Sequence, residues 1–134
     1  MISYKLMENT PSKKILVVDD DEVVLNSLTE ILRRANFEVF STISGYQAIK
    51  LAEENLPDVI ILDIILPDID GGEVAFTLSK KPQTSNIPII FLTGILKKGE
   101  EELIKKSGKH YVLAKPVTAN EILTMINKVI GDNQ

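Results

Sequence analysis

The 134-residue sequence has no cysteine, which excludes disulfides, thiolate nucleophiles and cysteine zinc sites. That composition suits a reducing compartment, and the cytoplasm is the expected location. A single histidine excludes a histidine-rich metal centre. No apolar run approaches the roughly 20 residues that cross a bilayer, so no membrane association is expected. The formal charge of −4 leaves no basic footprint for direct nucleic-acid binding. The glycines at 71, 72 and 94 lack the spacing of a P-loop or a dinucleotide fingerprint, and no repeat or low-complexity tract occurs.

What remains is ordinary for a globular domain, with 44% hydrophobic and 25% charged residues. The length fits one domain with a real core and leaves no room for a second. The first twelve residues lack the apolar centre of a signal peptide, and Thr10, Pro11 and Ser12 break any periodicity. We expect a flexible leader over 1–12, one domain over 13–131 and a tail over 132–134.

Within the domain, apolar β-branched runs alternate with helical periodicity. Residues 14–18 form such a run, which stops at Asp19, Asp20 and Asp21. Val24, Leu25, Leu28, Ile31 and Leu32 then recur at helical spacing until Asn36. Residues 37–42 alternate apolar and polar, as an edge strand does. Ser44 with Gln47 forms a capping box for a second helix, faced by Ala48, Leu51 and Ala52 and stopped by Pro57. Residues 59–62 are wholly apolar and end at Asp63, a buried strand closed by a charge. A third helix carries Val74, Ala75 and Leu78, and a fourth strand over 87–92 ends at Thr93 and Gly94. Glu101 with Lys105 and Glu102 with Lys106 mark a fourth helix, closed by Gly108, and 111–113 a fifth strand. After Lys115 and Pro116, Thr118 with Glu121 caps a last helix with Ile122, Leu123, Ile126 and Ile130 as its stripe. Met125 and Val129 widen that stripe, either as sheltered core or as part of a dimer or partner surface.

Five β-then-α units imply an α/β fold with a parallel sheet covered by helices on both faces. The strand ends then carry Asp19, Asp20, Asp63, Thr93 and Lys115 on one rim, where ligands gather in open α/β sheets. Three carboxylates brought within roughly 5 Å repel by about 3 kcal/mol per pair at an effective dielectric near 20, so a cation must offset them. A few hard oxygen ligands suit Mg²⁺ or Mn²⁺ better than zinc. With the Lys115 charge and the Thr93 hydroxyl, the rim fits a tetrahedral anion, and Asp63 is the candidate nucleophile for a phosphoryl group. Asp21 is read as a helix cap. Asp58, Asp68 and Asp70 are read as surface and turn residues, and no EF-hand frame surrounds the stretch from Asp68 to Gly71.

These residues resemble the receiver domain of bacterial two-component response regulators over 13–130. The motifs are Ile-Leu-Val-Val-Asp-Asp at 15–20, Leu-Asp-Ile-Ile-Leu-Pro-Asp-Ile-Asp-Gly at 62–71, Phe-Leu-Thr-Gly at 91–94 and Ala-Lys-Pro at 114–116. The resemblance implies a flavodoxin-like (βα)5 three-layer sandwich with sheet order 2-1-3-4-5. It further implies Asp63 as phosphoacceptor and Asp19, Asp20, Asp63 and the Ile65 carbonyl as Mg²⁺ ligands. Thr93 and Lys115 are implied as phosphoryl-sensing hydroxyl and phosphate-pairing amine, and the Lys115–Pro116 bond as cis.

The implied partners are a sensor histidine kinase or histidine phosphotransfer protein and an output protein that the resemblance does not identify; a homodimer is the alternative that the Met125 and Val129 face leaves open. The implied activity is self-phosphorylation without substrate turnover. The chain ends soon after the fifth helix, so the output module is expected on a separate protein. One position departs from the family: Val112 stands where an aromatic switch residue is usual, and Tyr111, one residue away, faces the other side of the strand. Ile65 and Ile95 flank the implied phosphoryl site, where their bulk is expected to slow hydrolysis. Two competitors are a phospho-independent pseudo-receiver module and an aspartyl-phosphate phosphatase. The second requires Asp-x-Asp, and Ile65 stands at its second acid.

Overall fold

Burial on both sides of a sheet demands uninterrupted apolar strands, and three runs in this chain meet that demand. The computed structural model describes residues 12–94 and 110–132. In it, β1 (Lys14–Val18), β3 (Val59–Asp63) and β4 (Ile89–Thr93) form the sheet centre, and every residue of β3 and β4 is buried. The edges are β2 (Glu38–Thr42) and β5 (Tyr111–Ala114), whose residues alternate in exposure. All pairings are parallel and the order is β2-β1-β3-β4-β5, the order implied above.

Strand alternation sorts the core into two layers. Leu16, Val18, Ile60, Leu62, Ile89 and Phe91 face α2 (Gly45–Asn55) and α3 (Gly71–Ser79), which contribute Ala48, Ala52, Val74, Ala75 and Leu78. Ile15, Val17, Val59, Ile61, Ile90 and Leu92 face α1 (Glu22–Arg34) and α4 (Ala119–Asp132), which contribute Leu25, Leu28, Leu32, Ile122, Ile126 and Val129. The result is a three-layer α/β/α sandwich with four helices among the described residues.

Local signals place the helix ends. Asp21 caps α1, its carboxylate accepting from the Val23 and Val24 amides at 3.0 and 3.4 Å. Asn36 follows α1 with φ of 72°, in the left-handed region that asparagine tolerates. Ser44 caps α2 through the Gln47 amide at 3.1 Å, and the Thr118–Glu121 box precedes α4 with reciprocal bonds of 3.0 and 3.1 Å. At the other end of α2, Leu56 takes the left-handed cap ahead of Pro57.

The last helix differs from its expected stripe. Val129 is fully buried whereas Leu123, Met125 and Ile130 are only partly so, because the helix turns Ile122, Ile126 and Val129 toward the sheet. Val129 therefore belongs to the core, the first of the two readings given above. The expected helix around Glu101 to Lys106, with Gly108 and Ile95, lies outside the described residues, as does the leader up to residue 11.

Candidate functional site

Register alone brings the acids together. Val18 pairs with Leu62, so the residues that follow, Asp19 and Asp63, leave adjacent strands side by side. Asp63 pairs with Leu92 on the other side, and Thr93 is one residue further along β4, opposite Ala114. Lys115 follows Ala114, and its amide donates to the Thr93 carbonyl at 2.9 Å. Asp63 continues the alternation of Val59 and Ile61 and so lies on the α1/α4 side of the sheet.

Carboxylate oxygens of Asp19, Asp20 and Asp63 all lie within 4.8 Å of one another. Asp19 is 1% exposed and Asp63 7%, while Asp20 opens to solvent. The Lys115 ammonium bridges the two buried acids, 2.8 Å from Asp19 Oδ2 and 3.0 Å from Asp63 Oδ2. Toward Asp63 it donates a hydrogen bond. Toward Asp19 the approach is off the hydrogen-bond direction, so that buried oxygen has an ionic neighbour without a well-directed donor, although 2.8 Å makes it an ion pair whatever the angle. The remaining oxygens accept from the backbone: Asp19 Oδ1 from the Asp21 amide at 2.9 Å and Asp63 Oδ1 from the Ile65 amide at 3.3 Å.

One lysine does not balance three acids. Burial, with the field of Asp19 added, raises the Asp63 pKa despite the opposing bond from Lys115. Lys115 shows the reverse balance: burial opposes its charge, but the two carboxylates outweigh burial and raise its pKa. At 4.8 Å or less, the Asp19–Asp63 repulsion is on the order of 3 kcal/mol at an effective dielectric of 20. With all three acids ionised, the formal charge of the group including Lys115 is −2. A divalent cation matches that charge. The donors are oxygens only, and the exposed side at Asp20 leaves room for the water that Mg²⁺ retains. The residues present therefore fit Mg²⁺.

The site is held from behind by a close approach. Gly71, the first residue of α3, donates to the Ile64 carbonyl at 2.6 Å, and a Cβ there would lie 2.3 Å from the Asp63 carbonyl oxygen. Only glycine permits this contact.

Of the residues singled out from sequence, Asp19, Asp20, Asp63 and Lys115 converge. Thr93 is buried beside them at the end of β4, and Ile65 is exposed on the following loop. The Lys115–Pro116 bond is cis. Val112 is 41% exposed on β5, whereas Tyr111 packs into the α1/α4 layer with its hydroxyl 3.2 Å from Asp132, so the two diverge as strand alternation requires.

Sequence reasoning missed the work done by the other aspartates. Asp58 accepts from the Lys14 amide at 2.7 Å, and Asp70 caps α3 through the Glu73 amide at 2.9 Å. Asp68 accepts from the Ser44 hydroxyl and from the Gly45 and Tyr46 amides, at 2.7, 2.9 and 3.0 Å. Asp70 carried a signal, a cap ahead of Glu73. Asp68 carried none, because its partners are 22 to 24 residues away.

A parallel 2-1-3-4-5 sheet with an acid cluster at its carboxyl rim defines a flavodoxin-like α/β domain. The model of the response regulator receiver domain matches residues 15–127, and the chain belongs to that family. The polar-differentiation response regulator DivK of Brucella ovis is 31% identical over 121 residues, covering 90% of this chain and 98% of that protein. A CheY-like receiver domain protein from Methanospirillum hungatei superposes with a TM-score of 0.87 at 25% identity, over 92% of this chain and 97% of that one. The receiver domain of the sensor histidine kinase PA1611 from Pseudomonas aeruginosa superposes at 0.82 with 29% identity, over 90% and 99%. That structure holds a magnesium ion in its active-site cleft.

Proposed function

We propose that this receiver is a phosphorylation switch in which Asp63 accepts a phosphoryl group from a phosphohistidine. The observation that carries this reading is the Lys115 ammonium bridging Asp19 and Asp63 beside an exposed third acid. A carboxylate oxygen of Asp63 attacks phosphorus, a P–O bond forms, and the P–N bond to the donor imidazole breaks. The donor imidazole, which carries a proton on its other ring nitrogen, keeps the bonding pair and leaves as neutral imidazole. Lys115 then moves its charge from the free carboxylate to a phosphoryl oxygen, and the Thr93 hydroxyl donates to another. Asp19, Asp20 and the Ile65 carbonyl would hold Mg²⁺ beside Asp63. When bound, that ion supplies charge neutralisation and orientation for the phosphoryl oxygens.

The donor on this reading is a sensor histidine kinase or phosphotransfer protein. A cleft of about 370 Å³ between α1 and residues 115–117 supports it, lined by Val23, Val24, Leu28, Ile31, Pro116 and Val117 and opening beside Lys115. Val23, 79% exposed next to the acids, gives that donor an apolar contact. The output partner reads the surface around the last two strands, β4 and β5. An aromatic rotamer switch is not part of this reading, since Tyr111 is committed to the opposite layer. The domain modifies itself and turns over no separate substrate, and it works in the cytoplasm.

Intact mass after incubation with acetyl phosphate and Mg²⁺ tests the proposal. Wild type is expected to gain one phosphoryl group and Asp63→Asn none. No adduct on wild type would favour a phospho-independent interaction module. Repeated turnover of varied phosphate esters would favour a phosphatase.

A further inference from the structure

The loop from Ile64 to Asp70 carries the Ile65 backbone next to Asp63, and it is exposed at 65, 67, 68 and 70. Such a loop holds a set geometry only if its tip is anchored as well as its base. The Gly71 amide on the Ile64 carbonyl closes the base, joining the two ends of the loop. Its tip is fixed by Asp68, whose two oxygens take the Ser44 hydroxyl and the first two amides of α2. These charge-assisted bonds hold the Asp68 carboxyl well below the usual carboxylate range, the Tyr46 amide contributing most. Beside it, Ile69 packs against Gly45 so closely that a Cβ there would lie 2.7 Å from Ile69 Cγ1.

The turn that receives Asp68 is itself tied to the other half of the acid cluster. The Thr42 carbonyl accepts from the Asp19 amide at 3.2 Å, and the Thr42 hydroxyl accepts from the Ser44 amide at 3.2 Å. A continuous chain of bonds therefore runs from Asp19 through Thr42 and Ser44 to Asp68 and back along the loop to Ile65 and Asp63. Nothing in this chain requires contact with a ligand.

We propose that Asp68 is a positioning residue for the cation and phosphoryl site: it braces the loop bearing Ile65 against the turn that holds Asp19, and so sets the spacing between the two halves of the cluster. This rests on the proposed Mg²⁺ site. Side chains that orient a metal's ligands typically change affinity by about 10–100-fold when removed.

The test measures Mg²⁺ affinity by amide chemical-shift titration, phosphoryl uptake by intact mass, amide exchange over 64–70 without metal, and melting temperature. Asp68→Ala is expected to weaken Mg²⁺ by about tenfold, speed exchange over 64–70, and slow uptake at limiting Mg²⁺ more than at saturating Mg²⁺. Asp68→Asn, which keeps one acceptor for an α2 amide and can donate to Ser44, is expected to recover part of each effect. Ser44→Ala is expected to fall between wild type and Asp68→Ala. A lowered melting temperature with unchanged Mg²⁺ affinity and unchanged loop exchange would overturn the proposal, leaving Asp68 a helix cap. Wild type that binds Mg²⁺ but takes no phosphoryl group would overturn the functional reading instead, and the affinity comparison would still decide the role of Asp68.

Discussion

Gly71→Ala tests whether the approach of α3 to the acceptor strand sets the geometry of Asp63. The new methyl would stand 2.3 Å from the Asp63 carbonyl oxygen, 2.9 Å from Ile64 Cα and 3.1 Å from the Asp63 carbonyl carbon. The first distance is short of ordinary van der Waals separation by about 1 Å, and all three atoms are backbone, with no rotamer to move aside. Either α3 retreats, losing the 2.6 Å bond to Ile64, or the end of β3 shifts and takes Asp63 with it. Overpacking of this kind costs about 1–3 kcal/mol. For a chain of this length that lowers the melting temperature by roughly 4–10 °C. Gly131→Ala is the internal comparison, because a Cβ there meets nothing within 4 Å and the residue lies in α4. Helix propensity gives it a gain of up to about 1 kcal/mol, so the same chemical change is expected to have opposite signs at the two sites. Circular dichroism melts at 222 nm measure both, and phosphoryl uptake by the Gly71 variant at a temperature where it is folded separates displacement of Asp63 from instability. A Gly71→Ala protein that melts with wild type and takes up phosphate at the wild-type rate would refute the reasoning.

Lys115→Met leaves Asp19 buried and Asp63 half-paired. Losing one partner of a buried pair costs about 3–5 kcal/mol, which the 23% exposure of the lysine side chain reduces to about 1–3 kcal/mol in chelator. Added Mg²⁺ is expected to restore most of that loss, and a melting temperature in chelator equal to wild type would contradict the ion-pair account. The raised Asp63 pKa predicts a pH slope of stated sign. Between the ordinary value of 3.8 and its own raised value, the folded state binds more protons at Asp63 than the unfolded state, so stability from this group falls as pH rises through that window. Urea titrations across mildly acidic pH should show that decline in wild type and its loss in Asp63→Asn; equal slopes would remove the desolvation argument. Lys115 contributes in the other range, its stabilisation complete below 10.5 and lost as pH rises through its raised value.

The sheet was legible because its central strands are chemically extreme. β3 and β4 have no polar residue before their last position, a pattern only burial on both faces explains. β2 was legible as an edge from its alternation. The helices were legible where a cap preceded a 3.6-residue stripe, as at Ser44 and Thr118. In the last stripe Leu123, Val129 and Ile130 are equally apolar in sequence, and only the angle at which α4 meets the sheet selects Val129 for full burial. Thr29 escaped for a related reason. It is polar yet buried, because its hydroxyl bonds the Leu25 carbonyl at 2.7 Å within the helix and needs no outside partner.

The aspartates show how one residue type separates into two uses. Asp19 and Asp63 follow apolar runs at the carboxyl ends of adjacent central strands, where parallel register must place them side by side. Asp21 and Asp70 stand immediately before helices, where the free amides two or three residues on are the nearest donors. Asp58 precedes β3 at the opposite rim and can reach only the start of β1. Strand-end position in the central sheet thus separates the cluster acids Asp19 and Asp63 from acids that merely satisfy backbone. Asp68 escapes the rule because its donors belong to a turn more than twenty residues earlier, against which Ile69 packs at Gly45. Its assignment required the three-dimensional path of the loop. The same path makes its removal expected to register at the cation site, since Asp68 and the adjoining Ile69 contact tie the loop tip to the turn that holds Asp19.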